Sequence, residues 1–176
     1  MNIREESCKD YEAVFKLVED AFRDEPYTDH QEQFLVERLR KTESFVPELS
    51  LVAEMDHQIV GYILLTKIKI VNDRLVETPA LALAPVAVLK EYRGKGIGGR
   101  LIREAHRRAK SLNFDAIVLL GHSSYYPKFG YQPIAKYGIR LPFDAPEENC
   151  MLIELKDNAM LNISGLVEYP KEFFES

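Results

Sequence analysis

PVAVLKEYRGKGIGGRLIREAHRRAKSL, residues 85–112, decides how the rest of the chain is read. An apolar run (Val86, Ala87, Val88) stops at a charged elbow, four glycines follow within six residues (Gly94, Gly96, Gly98, Gly99), and a helical pattern begins at once. The order is strand, glycine-rich turn, helix N-terminus. Glycines let a ligand approach the backbone, and the unpaired N–H groups of a first helical turn, with the helix dipole, attract an anion. The stretch is suited to holding phosphate.

Charge supports this. Between Lys90 and Lys110 eight basic residues (Lys90, Arg93, Lys95, Arg100, Arg103, Arg107, Arg108, Lys110) face two acids (Glu91, Glu104), a local +6 in a chain of net charge −5, so the remainder carries −11. One basic island in an acidic chain points to a dedicated anion site; a nucleic-acid surface would spread over a face and raise the pI. A solvated charged helix face is the plainer alternative.

Three phosphate motifs compete. A Walker loop requires Lys-Ser/Thr after its last glycine, and Gly99 is followed by Arg100. Gly94, Gly96 and Gly99 satisfy G-x-G-x-x-G, the signature of a nicotinamide-dependent reductase, but the next apolar run, 116–120, ends in Gly121-His122-Ser123 with no acid where a ribose would need one. The third motif, (Arg/Gln)-x-x-Gly-x-(Gly/Ala), is met by Arg93-Gly94-Lys95-Gly96-Ile97-Gly98.

That third motif is the pyrophosphate loop of the GCN5-related N-acetyltransferases (GNAT), and the chain resembles that family beyond the loop. The apolar strand before it, the tract VLKEYRGKGIG and the later Tyr125-Tyr126-Pro127-Lys128-Phe129-Gly130-Tyr131 follow the family's motif order. LLGHSSYYPKFGYQP further resembles the YhbS-like branch of bacterial acetyltransferases. The resemblance implies a mixed α/β fold: a mostly antiparallel central sheet, two parallel strands splayed apart, and flanking helices.

Length and composition agree. At 176 residues the chain suits one domain with a proper core, with 156–176 as a C-terminal extension of it. No apolar run approaches the roughly 18 residues that span a membrane, and residues 1–10 are too polar for a signal peptide, so a cytoplasmic location is expected. Two cysteines, Cys8 and Cys150, make neither a metal cluster nor a disulfide framework, and no metal is expected.

In chain order, residues 2–4 read as an opening strand. A helix follows, with Ser7 and Asp10 as caps and Val14, Phe15, Leu17, Val18, Ala21 and Phe22 at helical spacing. A second helix, capped by Asp29, places Phe34, Leu35 and Leu39 inward and ends near Lys41. Residues 49–54 and 59–70 form a hairpin, the central strand runs to Val88, and a helix covers 98–112. Five apolar residues, 116–120, make a strand parallel to the central one, because a helix connects the two. Ile134 to Leu141 and Cys150 to Leu155 read as closing strands, residues 167–170 as a short extra one, and Phe173 and Phe174 suggest docking on the body or a partner subunit.

The resemblance assigns roles. The N–H groups of Arg93, Gly94, Lys95, Gly96, Ile97, Gly98 and Gly99, with the Lys95 side chain, hold the pyrophosphate of acetyl-CoA; the backbone of Val86, Ala87 and Val88 pairs with the pantetheine arm. Tyr126 takes the place of the general acid: thioester aminolysis expels a thiolate, and a phenol of ordinary pKa about 10 remains a proton donor at neutral pH. The segment joining the first two helices covers the acceptor, making Glu25, Tyr27 and Asp29 candidates for gripping an amine. Ser123 or Ser124 either contacts the pantetheine or caps the short helix carrying Tyr126. Many relatives place a carboxylate where this chain has Ala84 and Pro85, so the general base is unassigned among Glu77, Glu54, Glu25 and His122. The expected activity is acetyl transfer to a small-molecule or peptide amine by a monomer or homodimer, without nucleic acid or membrane. A catalytically silent acyl-CoA binding module is the main alternative, the reductase the lesser one.

Overall fold

The computed structural model describes residues 1–26 and 28–175. Strands and helices follow in the order β1 (Asn2–Glu5), α1 (Tyr11–Phe22), α2 (Glu32–Leu39), β2 (Phe45–Met55), β3 (Gln58–Val71), β4 (Glu77–Val88), α3 (Ile97–Ser111), β5 (Ala116–Leu120), β6 (Gln132–Pro133), β7 (Ile139–Arg140), β8 (Cys150–Glu154) and β9 (Gly165–Glu168). The architecture is mixed α/β as expected: antiparallel pairing predominates, and among the described residues β4/β5 and β7/β9 pair in parallel. By packing the chain divides into two compact units. No helix among the described residues is long and apolar enough to cross a membrane.

The first unit comprises residues 1–66, 84–108 and those from Lys171 onward. β1, β2 and β3 form an antiparallel meander, Ile3 opposite Ala53 and Val52 opposite Tyr62. The hairpin turns at Asp56 and His57, both in the left-handed region (φ 49° and 61°). Val14, Leu17, Val18 and Ala21 of α1 recur at helical spacing and are buried with Val36, Leu39, Tyr62, Leu64 and Ala87 in one core. At Gly61 of β3 a Cβ would come within 3.0 Å of both Ile97 and Leu101, so the missing side chain lets α3 seat on the strand. Beneath α1 and α2, Arg40 and Glu6 form a buried ion pair; Glu6 also accepts the Ser50 hydroxyl (2.8 Å), which bonds Tyr62.

The second unit comprises residues 67–83 and 109–170. Its first strand pair is parallel, Leu81 opposite Ile117 and Ala82 opposite Val118, and β4 runs on from there to Val88. β5 continues antiparallel to β8, Leu120 facing Cys150, and β8 to β6. β9 pairs antiparallel with the end of β3. Ile68, Ile70, Ala80, Ala82, Ala116, Val118, Leu152 and Val167 share its core.

Three expectations are corrected. Ile134 to Leu141 is not a strand: Ile134–Tyr137 is a 3₁₀ turn ending at left-handed Gly138 (φ 69°), and only Ile139–Arg140 pairs. Helix α2 turns Gln33, Val36 and Leu39 inward and leaves Phe34 exposed, edge-on to Phe15. Its N-cap is Gln31, with Asp29 Oδ1 instead accepting the Gln31 N–H (3.0 Å). At the C-terminus Phe173 joins the first unit's core, while Phe174 is exposed.

Candidate functional site

In the first unit the glycine elbow opens onto the N-terminus of α3. Gly94 and Gly96 are left-handed (φ 78° and 77°), which only glycine adopts without cost, and a Cβ on either would meet nothing within 4 Å. The backbone there is both bent and uncovered. The first helical bond of α3 runs from Arg100 N–H to Gly96 O (3.1 Å), so the amides of Ile97, Gly98 and Gly99 precede any intrahelical partner. No acid stands in that first turn to compete for them. Lys95 reaches over the Tyr92 ring, its ammonium 4.8 Å from the centroid. Arrayed amides, a dipole and a lysine make a cradle for an anion.

Arg93, at the start of the elbow, faces elsewhere. Its N–H donates to Lys90 O (3.2 Å), and its guanidinium donates to Ala21 O (2.7 Å) and Val88 O (3.3 Å), with Glu25 at 3.8 Å. Just upstream lie Val86, Ala87 and Val88 at the end of β4, after a cis Ala84–Pro85 peptide; Ala87 is buried and its neighbours half-buried.

In the second unit Tyr126 opens the 3₁₀ turn Tyr126–Phe129 beyond β5. Its ring is buried, edge-on to Tyr125 (5.1 Å) and Tyr131 (5.8 Å). Burial pushes its phenol up, so it stays protonated through the neutral range. Gly121, a position without an expected role, is required by the ring: a Cβ there would lie 2.3 Å from Tyr126 Cε2. The signal available was a glycine ending an apolar strand. Ser123 and Ser124 are exposed, and neither caps the turn: its N-cap is Tyr125, with no side-chain cap bond.

The base candidates separate by their neighbours. Glu54 is paired to Arg4 (3.0 Å), Glu77 to Lys69 (2.7 Å) and Glu25 to Arg93 (3.8 Å). His122 is exposed just past the end of β5, where its carbonyl accepts the Tyr125 and Tyr126 N–H groups; among the described residues no ion pair engages its ring. Tyr27 lies outside the described residues. Glu25 and Asp29 both belong to the segment after α1, Asp29 in a turn that accepts the Gln31 N–H.

Comparison with known proteins gives a consistent result. Residues 11–131 match the model of the Acetyltransferase (GNAT) family. N-acetyltransferase YjhQ of Escherichia coli K12 is 34% identical over 139 residues, covering 77% of this chain and 76% of its own. Among solved structures, the GNAT family N-acetyltransferase YhbS from Escherichia coli, in complex with CoA, aligns with a TM-score of 0.87 at 27% identity, over 99% of this chain and 92% of that one. A GNAT family acetyltransferase from Brucella melitensis, in complex with acetyl-CoA, aligns with a TM-score of 0.81 at 30% identity, over 98% and 97%.

Proposed function

This chain belongs to the acetyltransferase (GNAT) family, and from that premise we propose that it moves the acetyl group of acetyl-CoA onto a primary amine by direct attack. The observation that carries the reading is the uncovered elbow, two left-handed glycines feeding the N-terminus of a fifteen-residue helix. Relatives of the same fold hold CoA and acetyl-CoA. The amides of residues 94–99 and Lys95 take the diphosphate, and the backbone of Val86–Val88 pairs with the amides of the pantetheine arm.

In the reaction the amine nitrogen forms a bond to the thioester carbonyl carbon, the C–S bond breaks, and the electron pair leaves on sulfur. Tyr126 gives the thiolate its proton; burial keeps the phenol protonated and therefore available. The ammonium must first lose a proton. Of the four base candidates three carry cationic partners, which leaves His122, whose ring has no ion pair among the described residues. The acidic remainder of the chain attracts a cationic acceptor over long range.

Two measurements test this. Acetyl-CoA raises the unfolding temperature and NADPH does not; the reverse order ends the proposal. Thiol release against an amine panel then finds the acceptor, and Tyr126→Phe lowers turnover by roughly 10²–10⁴-fold. Unchanged turnover in that variant removes Tyr126 from the chemistry, and binding without turnover on any amine leaves a binding module.

A further inference from the structure

The arginine that opens the phosphate motif turns its guanidinium to protein atoms and not to the elbow's open side. Arg93 spends its guanidinium on protein: Nη2 on Ala21 O (2.7 Å), Nε on Val88 O (3.3 Å), and Nη1 towards Glu25 Oε1 (3.8 Å). A carboxylate beside it disfavours a phosphate there as well. Ala21 is in the last turn of α1, a turn with no basic residue of its own, so its carbonyls lack the usual cationic complement. Arg93 supplies it from the glycine elbow.

The contacts continue past Ala21. Phe22 O accepts the Glu25 N–H (3.1 Å) and meets His30 Nδ1 (2.9 Å), and His30 O accepts from Gln33 Nε2 (3.0 Å) on α2. Lys90 reaches Asp24 at 3.6 Å, a second and exposed link between the same segments. One hydrogen-bonded path therefore runs from the residue before Gly94, through the end of α1, to the start of α2.

We propose that Arg93 is a positioning residue, a latch through which filling the glycine elbow steadies the end of α1 and the chain leading to α2. The inference rests on the elbow being the CoA site. With Gly94 and Gly96 held by a diphosphate, Arg93 loses the freedom of its neighbour, and the carbonyl it holds loses freedom with it. The segment that follows α1 is thereby set before a second substrate arrives.

Amide exchange by NMR, with CoA as the probe and calorimetry alongside, tests the latch. In the wild-type chain CoA slows exchange of the Glu25 and His30 amides by on the order of ten-fold. In Arg93→Met, CoA binds within about three-fold of wild type and the slowing is absent. Arg93→Lys, whose ammonium reaches one carbonyl at a time, is intermediate. Slowing retained in Arg93→Met, or a loss of CoA affinity above ten-fold, overturns the latch, the second by assigning the guanidinium to the diphosphate. CoA binding to wild type without slowing overturns the latch alone; no binding overturns the CoA reading of the elbow and the latch with it.

Discussion

Gly121→Ala puts the placement of Tyr126 under direct test. An added Cβ would stand 2.3 Å from Tyr126 Cε2, 2.9 Å from Cδ2 and 3.2 Å from Leu119 Cδ1, whereas ordinary contact begins near 3.4 Å. The ring must therefore retreat by about an ångström, and its route is blocked by Tyr125 and Tyr131, packed edge-on at 5.1 and 5.8 Å. Overpacking of this kind costs about 1–3 kcal/mol, which for a chain of this size lowers the midpoint of thermal unfolding by roughly 2–12 °C. A displacement near 1 Å of a proton donor costs on the order of 10²-fold in turnover. Thermal unfolding and single-turnover thiol release on the same preparation separate the two effects. Expected is a folded protein that binds acetyl-CoA with wild-type affinity and releases thiol about a hundred times more slowly. Wild-type turnover at an unchanged midpoint would show that the Tyr126 ring does not lie over Gly121, or that its position is irrelevant to transfer.

The elbow responds in the opposite way. Gly94→Ala and Gly96→Ala meet no steric neighbour but place an L residue at φ near 78°, so each costs about 1–2 kcal/mol through the backbone and weakens CoA in calorimetry more than it lowers the unfolding midpoint. Arg40→Met leaves Glu6 charged and buried, which costs about 3–5 kcal/mol in denaturant unfolding, and Glu6→Gln added to it recovers most of the loss. Glu104, held by Arg107 and Arg108, has its carboxyl lowered from 4.5 to about 2, so its contribution is complete above pH 4.5 and lost as pH falls towards 2. Glu104→Gln therefore flattens the acid limb of the stability curve between pH 4.5 and 2 and is less stable than wild type at pH 7.

Elements whose signal is local were legible. The spacing of Val14, Leu17, Val18 and Ala21 needs nothing beyond one helix, and α1 follows it. Five apolar residues between a helix and a glycine gave β5 to the residue, and with it the parallel pairing to β4. Where the signal was apolar content alone, it misled. Ile134, Ile139 and Leu141 are all buried, as a strand would have them, yet Ile134 reaches the core from a 3₁₀ turn closed by left-handed Gly138, and Ile139 from the two-residue strand that follows it. On α2 the inward face is offset by one residue: Gln33 turns in, its amide N–H donating to the His30 carbonyl, and Phe34 stays out, edge-on to Phe15.

At the candidate site the same division holds, between what the chain does with its own neighbours and what it does with distant ones. The elbow's geometry is written in Gly94 and Gly96, since no other residue adopts those angles without cost, and it was legible. Who neutralises Glu54 was not, because Arg4 is fifty residues away and becomes a neighbour only when β1 pairs with β2. Glu77 likewise meets Lys69 across a hairpin, and Glu25 meets Arg93 through the fold of the first unit. Each carboxylate that looked available in the sequence is spoken for in the structure, so the search for a base moves to an imidazole. His122→Asn sharpens this: it removes the imidazole while keeping a polar side chain, and it lowers turnover by roughly 10²–10⁴-fold without changing CoA affinity. Turnover that survives the change would return the role to one of the carboxylates, and the ion pair that yields it would then have to open in the acceptor complex.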